Sequence, residues 1–157
     1  SPLSEWATIA YYTAMRQGEI MKLCWDEVDL DEGLIYVHGE NTKNSLSKTI
    51  PIHPELRQLF MKMQKLHRTG RLIRNNGRPV NTYSGNLKLE WNKAIHSAGI
   101  KDFHFHDLRH IATNNLRIAG NDLLRIKAIT GHKSDSAFRR YNNVTIKELQ
   151  GVVWHNQ

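Results

Sequence analysis

A chain of 157 residues suits one domain, and its 39% hydrophobic and 24% charged residues are typical of a globular protein. It has no apolar run of about 18 residues and no secretory signal pattern, so we expect a cytoplasmic protein that does not enter a membrane. Its single cysteine excludes an internal disulfide. Lys and Arg (22) outnumber Asp and Glu (15), and the formal charge of +7 favours nucleic acid as partner, with an anionic membrane surface as the weaker alternative.

The N-terminal segment predicts two helices. Ser1 followed by Pro2 is a favourable helix start, and helix signals extend over residues 2–15 and again over residues 18–25. A chain that opens directly on a helix start is expected to be one domain of a longer protein.

A small β-hairpin is predicted next. Residues 34–37 are rich in β-branched and aromatic side chains and predict a strand, and residues 48–52 predict its partner. Pro51 is tolerated there because it lies near the end of the strand. The polar turn over residues 39–45 carries Lys43 at or near the tip of the hairpin.

Helical periodicity dominates the rest of the chain, apart from a loop predicted over residues 75–79 and a turn or two over residues 136–142. Gly131 is well placed to end one of the helices. The class is therefore mainly α with one small antiparallel β-sheet. The predicted helices start after Pro54, near Tyr83, near Leu108, at Asp122 and at Thr145.

Four short segments have the residue types and the order of a known catalytic pattern. They are Arg16 with Glu19 three positions later, Lys43 in the hairpin turn, His106-Asp107-Leu108-Arg109-His110, and Gly131-His132 with Tyr141 nine positions on. Together they resemble the tyrosine recombinase, or phage integrase, family, over residues 10–145 of this chain. One departure is Thr13-Ala14-Met15-Arg16, where many members have a glycine at the second position, and we expect its effect to be mild.

The resemblance implies the fold of a DNA breaking–rejoining catalytic domain and assigns roles to these residues. Tyr141 would be the nucleophile that forms a phosphotyrosyl link to a DNA 3′ end, and Lys43 the general acid for the leaving 5′ oxygen. Glu19 and His110 would support the others. The implied catalytic residues are Arg16, Lys43, His106, Arg109, His132 and Tyr141.

The chemistry of phosphodiester cleavage explains why these residue types are needed. Negative charge develops on the non-bridging oxygens, and two guanidiniums, Arg16 and Arg109, can stabilise it with planar donors that stay charged. The sequence has no carboxylate cluster suited to Mg²⁺, so no metal is expected. A covalent phosphotyrosyl link conserves the bond energy, so no cofactor is expected either.

The resemblance also implies partners and a biological role. The domain, residues 1–157, would act on double-stranded DNA, and the full-length protein would form a homo-tetramer on two duplexes, with accessory DNA-bending proteins as further partners. The N-terminal DNA-binding domain usual in the family is not part of this sequence. The expected role is integration or excision of a prophage or another mobile element.

Plainer interpretations stay open for single residues. Lys43 is one of two lysines in the hairpin, and a solvated or DNA-backbone role is the alternative because Lys48 lies nearby. His104, His106 and His110 could share a metal ion, although no Cys, Asp or Glu completes such a site. The rest have similar alternatives: a surface charge for Arg16 and Arg109, a polar cap for His132, a half-buried core residue for Tyr141.

Two other functions compete with recombination. A type IB topoisomerase would share the chemistry but relax supercoils without exchanging partners, and the spacing from Gly131-His132 to Tyr141 favours the recombinase. A non-catalytic DNA-binding module would not need Tyr141 beside a full set of phosphate ligands. Trapping of a covalent DNA adduct and transfer of strands between duplexes separate the three.

Overall fold

Helices build most of the chain, and the predicted class, mainly α with small antiparallel sheets, is confirmed. The computed structural model describes residues 2–43, 45–80, 85–132, 136, 139, 144–152 and 154. Among these residues, no helix is long and apolar enough to cross a membrane. The helices are α1 (Pro2–Thr13), α2 (Gln17–Lys22), α3 (Pro54–Gln64), α4 (Gly85–Ser97), α5 (Asp107–Ile118), α6 (Leu123–Thr130) and α7 (Ile146–Gln150), and the strands are β1 (Val28–Asp29), β2 (Leu34–Val37), β3 (Lys48–Pro51), β4 (Arg74–Asn75) and β5 (Arg78–Pro79).

The second helix is shorter than predicted. It ends at Lys22 instead of continuing to residue 25, and residues Trp25–Glu27 form a separate 3₁₀ turn. The Glu27 carboxylate accepts a hydrogen bond from the Cys24 amide at 2.9 Å, which caps this turn as a new start. The apolar residues of this stretch therefore belong to two short elements.

The predicted hairpin is β2 and β3, joined by a third strand, β1, that was not predicted. The strands pair antiparallel in the order β1-β2-β3, with Ile35 opposite Ile50 and Val37 opposite Lys48. Lys48 and Ile50 alternate with exposed residues along β3 and both face the interior. A lysine at an inward position of a strand is uncommon and points to a buried partner.

The prediction of a loop over residues 75–79 is wrong, because β4 and β5, with two residues each, form a β-hairpin there. Asn76 and Gly77, at its tip, both have positive φ, +50° and +76°. This is the backbone of a type I′ turn, which Asn-Gly adopts readily. The Asn-Gly pair was the signal for the hairpin.

The core lies where α1, α3, α4 and α5 meet the sheet. Trp6 of α1 stacks on Phe105 with ring centroids 3.4 Å apart, and Trp91 of α4 contacts the same ring edge-on at 5.2 Å. These contacts fix the segment that leads into α5. Tyr83 and most of the turn predicted over residues 136–142 lie outside the described residues.

The boundaries of α6 follow local capping. The Asp122 side chain accepts a hydrogen bond from the Arg125 amide at 2.9 Å, and Gly131 ends the helix in the left-handed conformation (φ +72°), as predicted. A side chain on Gly131 would lie about 3.5 Å from the stem of Lys48. The end of α6 is thus seated against β3.

Candidate active site

Arg16 stands at the start of α2, immediately after a tight turn from α1. Ala14 in this turn has a φ of +54°, the left-handed conformation that favours glycine. Ala14 adopts this conformation at a cost of about 1–2 kcal/mol that a glycine would avoid. The Thr13 hydroxyl accepts a hydrogen bond from the Met15 amide at 3.2 Å and supports the turn. The turn brings Arg16 to the cleft while α1 stays in the core.

Arg109, in the first turn of α5, is almost wholly buried, with 3% of its surface exposed. Its Nη1 donates to the Ala14 carbonyl, and its Nη2 donates to the Thr130 carbonyl at 2.8 Å. The guanidinium thus joins the α1–α2 turn to the end of α6. A permanently charged group held by neutral carbonyls keeps its positive charge available to an anion.

Glu19 and Lys48 form a buried ion pair beside Arg16. The Lys48 Nζ lies 2.7 Å from one carboxylate oxygen of Glu19, and the Arg16 Nη1 lies 3.1 Å from the other. Burial by itself would raise the pKa of Glu19, but the Lys48 charge and hydrogen bond, with the backbone and charge of Arg16, hold it below its usual value. At Lys48, burial lowers the pKa by more than the pairing with Glu19 raises it, so the pKa of Lys48 lies below its usual value.

His132, one residue after the end of α6, lies among these cations. Its Nδ1 is 2.7 Å from the Thr130 hydroxyl, and Arg109 Nη2 lies 3.4 Å from its Nε2. Burial, and then the charges of Arg109, Arg16, Lys48 and His110, lower the pKa of His132 to about 4. The ring is therefore neutral at physiological pH in the absence of a bound anion.

Lys43 and His106 form the exposed side of the site, and the half-buried His110 lies behind His106. Lys43 is exposed in the hairpin loop and lines a cleft of about 530 Å³ together with Arg16 and His106. His106 lies at the start of α5, and its ring meets that of His110 at right angles, 4.9 Å between centroids. His104, the third member of the alternative metal cluster, is exposed and lies 3.5 Å from Asp107.

The loop that carries Lys43 is held by its own hydrogen bonds. The Thr42 hydroxyl accepts from the Leu46 amide at 3.1 Å, and the Ser47 hydroxyl accepts from the Gly39 amide at 3.1 Å. A side chain on Gly39 would stand 2.7 Å from the Ser45 carbonyl oxygen, so only glycine fits. The loop thereby places Lys43 beside the cleft.

Four of the six predicted catalytic residues line two neighbouring clefts, Arg109 lies against His132 of one of them, and Tyr141 lies outside the described residues. The second cleft, of about 370 Å³, is lined by Arg16, Glu19, Lys48 and His132 among others. Arg16, Lys48 and Lys127 line it together with the one carboxylate of Glu19, so the lining has a formal charge of +2. Such a site favours a phosphate-sized anion.

Sequence reasoning did not assign two residues of this site. Lys48 was considered only as a neighbour of Lys43, although its position two residues before Ile50 on an inward face was a usable signal. Thr130 was considered only as the end of a helix. Its contacts with Arg109 and His132 depend on the tertiary structure, and no sequence pattern indicated them.

The comparison with protein families agrees with the motif pattern. The sequence model of the phage integrase family matches residues 4–148. The chain belongs to this family. The shufflon-specific DNA recombinase of Escherichia coli is 35% identical over 142 residues, which cover 90% of this chain and 34% of that protein. The integrase of Salmonella phage P22 is 25% identical over 157 residues, 94% of this chain and 41% of that protein. The chain thus spans less than half the length of either relative.

Solved structures share the fold. The XerA recombinase superposes with a TM-score of 0.74 at 22% identity, over 96% of this chain and 55% of that one. The catalytic domain of bacteriophage HP1 integrase gives 0.69 at 23% identity, over 94% of this chain and 77% of that one. The predicted tyrosine recombinase catalytic-domain fold is therefore confirmed.

Proposed function

We propose that this chain is the catalytic domain of a site-specific recombinase that cleaves and rejoins DNA through Tyr141, as part of a longer protein that integrates or excises a prophage or another mobile element. The observation that carries the proposal is that Arg16, Lys48 and His132, from three separate segments, line one positively charged cleft, with the buried Arg109 against His132. The family and the recombinase names of its relatives support the same reaction.

The cleft suits the charge that develops on a scissile phosphate. Arg109 is held by two carbonyl groups and Arg16 by Glu19, so neither has to reorganise when the phosphorane forms. Preorganised donors aimed at a developing anion commonly supply the largest part of catalysis in such reactions. His106, at the cleft that Arg16 also lines, would add a further contact to the phosphate.

In the proposed reaction the Tyr141 hydroxyl loses its proton to solvent, its oxygen attacks the phosphorus, and the bond to the 5′ oxygen breaks. The 3′ side of the DNA stays covalently attached to Tyr141, while Lys43 donates a proton to the departing 5′ oxygen. Exposure of Lys43 beside the hydrogen bond between Thr42 and Leu46 supports this role, because its ammonium has room to reach a leaving group. Attack of a 5′ hydroxyl on the phosphotyrosyl bond then rejoins a strand.

Double-stranded DNA is the proposed partner, and tetramers on two duplexes the proposed assembly of the full-length protein. A lambda integrase structure of the same fold is a tetramer bound to a Holliday junction. The formal charge of +7 supports binding to the phosphate backbone. Accessory DNA-bending proteins would assist the longer protein.

The test is Tyr141→Phe on a nicked suicide substrate, whose cleaved fragment diffuses away and traps the covalent complex. The parent should form a protein–DNA adduct that survives denaturation, and peptide mapping should locate the 3′ phosphate on Tyr141. The variant loses one oxygen and almost no volume, so its fold and its DNA affinity should hardly change while the adduct disappears.

Tyr36→Phe is the matched control, because Tyr36 is an exposed tyrosine of β2 and should not affect the adduct. Circular dichroism and a binding titration accompany both variants. An adduct on another residue, or full cleavage by the Tyr141 variant, would refute the assignment of Tyr141 as the nucleophile. Transfer of strands between two duplexes, measured with the parent, distinguishes recombination from relaxation of supercoils.

A further inference from the structure

Thr130 occupies a buried position between two residues of the cleft. It is the last residue of α6 and has no exposed surface. Its carbonyl accepts a hydrogen bond from Arg109 Nη2 at 2.8 Å, and its hydroxyl oxygen lies 2.7 Å from His132 Nδ1. One side chain and its own backbone thus contact both the arginine and the histidine.

The hydrogen bonds of the Thr130 hydroxyl determine where the His132 ring holds its proton. A hydroxyl has one hydrogen, and this one is donated to the Ile126 carbonyl at 2.8 Å. The 2.7 Å contact with Nδ1 therefore needs a proton on the nitrogen. A neutral imidazole carries a single N–H, so Nε2 is left with a lone pair.

The surroundings of His132 oppose a second proton on the ring. Arg109 Nη2 lies 3.5 Å from Nδ1 and 3.4 Å from Nε2, and Arg16 and Lys48 line the same cleft as the imidazole. Positive charges at this distance disfavour the imidazolium form. The neutral ring with its proton on Nδ1 is the form that these contacts select.

We propose that Thr130 is a positioning residue, whose hydroxyl holds His132 in the Nδ1–H tautomer and leaves Nε2, 3.4 Å from Arg109 Nη2, as the hydrogen-bond acceptor of the ring. With its proton on Nδ1, His132 can donate from Nε2 to a phosphate oxygen only after that nitrogen takes up a proton, and the neutral Nε2 accepts hydrogen bonds instead. The catalytic part of this inference rests on the proposed function.

Thr130→Val and Thr130→Ser form a matched pair for the test. Valine keeps the branched shape and the backbone carbonyl that holds Arg109 but lacks the hydroxyl, whereas serine retains the hydroxyl. Long-range proton–nitrogen NMR correlations on the free protein at neutral pH distinguish the protonated from the unprotonated ring nitrogen, with His132→Gln used to assign the signals. We expect the Nδ1–H form in the parent and the serine variant, and its loss as the dominant form in the valine variant.

An Nε2–H tautomer in the parent would overturn the inference, and so would an unchanged Nδ1–H form in Thr130→Val. Should the valine variant fail to fold, Thr130→Ala takes its place, since it removes the hydroxyl and adds no group. The tautomer is measured without DNA, so this result does not depend on whether Tyr141 forms an adduct.

Activity gives the second measurement. Cleavage of the suicide substrate should fall about 10–100-fold in Thr130→Val, the usual range for groups that orient a functional histidine, and should recover in Thr130→Ser. A valine variant that changes tautomer but cleaves at the parent rate would refute the catalytic role while leaving the tautomer assignment intact. A parent that forms no adduct would refute the proposed function alone.

Discussion

The buried and exposed parts of the cleft are built by different means. In the buried part, Glu19, Lys48 and Arg109 are held by contacts from three or more segments of the chain. In the exposed part, Lys43 and His106 lie on a loop and at a helix start, both accessible to solvent. Three of these five residues therefore have a structural role that is inseparable from their place in the site, whereas Lys43 and His106 lie on its exposed side.

The charged residues of the cleft therefore differ in how much they contribute to the stability of the fold and to the proposed reaction. Arg109 bridges the α1–α2 turn and the end of α6, so its loss removes two hydrogen bonds from buried carbonyls. Lys43 lies in a loop whose conformation depends on Thr42, Ser47 and Gly39 rather than on the lysine. Substitutions at the two positions should separate stability from activity.

The largest combined effect on cleavage and stability is expected for Arg109→Ala. Cleavage should fall by at least about 10²–10³ through the loss of a preorganised donor, and each buried carbonyl left without a partner should lower the free energy of unfolding by about 1–3 kcal/mol. Suicide-substrate cleavage and urea denaturation measure the two effects. Arg16→Ala is the comparison: its side chain is 24% exposed, so cleavage should be lost with a smaller change in stability. Cleavage by Arg109→Ala near the parent rate would exclude the arginine from the reaction.

The same distinction explains how far the sequence could predict the site. Short-range patterns indicated most helices, and the resemblance to the family motifs grouped Arg16, His106, Arg109 and His132 into one site. Lys48 was missed because its partner, Glu19, is 29 residues away, and nothing in either segment alone indicates the ion pair.

The fold was predictable to a similar extent. Periodicity indicated β2, β3 and the longer helices, since one apolar face is enough to define them. It could not indicate β1, which has two residues, or the early end of α2, which follows from the Glu27 cap. The missing information in each case was a contact or a turn, not a propensity.

Lys48→Met and Lys43→Met are the next test, because both lysines belong to one hairpin and differ in burial. Lys48→Met leaves the buried Glu19 carboxylate without its closest partner and should lower the free energy of unfolding by about 3 kcal/mol. Lys43→Met should change it by less than about 0.5 kcal/mol. Thermal or urea unfolding measures both, and equal losses would contradict the structural distinction.

Activity sharpens the comparison of the lysines. If Lys43 is the general acid, Lys43→Met should lower cleavage by about 10²–10⁴. A substrate with sulfur in place of the leaving 5′ oxygen should restore it, because a thiolate leaves without a proton. Lys48→Met should show no such rescue. If the sulfur substrate restored cleavage in Lys48→Met but not in Lys43→Met, Lys48 rather than Lys43 would be the general acid.

The smallest effect is a pH dependence of stability from His132, whose ring lies between the two parts of the cleft. Its pKa in the folded protein is about 4, against an ordinary value of 6.5, so the unfolded chain binds the proton more tightly. The contribution of the neutral ring is complete above about pH 6.5 and is lost progressively as the pH falls toward 4. Stability measured by urea unfolding should therefore decrease over this interval, and the decrease should be smaller in His132→Gln. His67 also has a lowered pKa, by burial and by the charge of Arg74, so the comparison is made in a His67→Gln background. An identical decrease with and without His132 would show that the cations of the cleft do not act on this ring, and the neutral form on which the Thr130 inference depends would lose its electrostatic support.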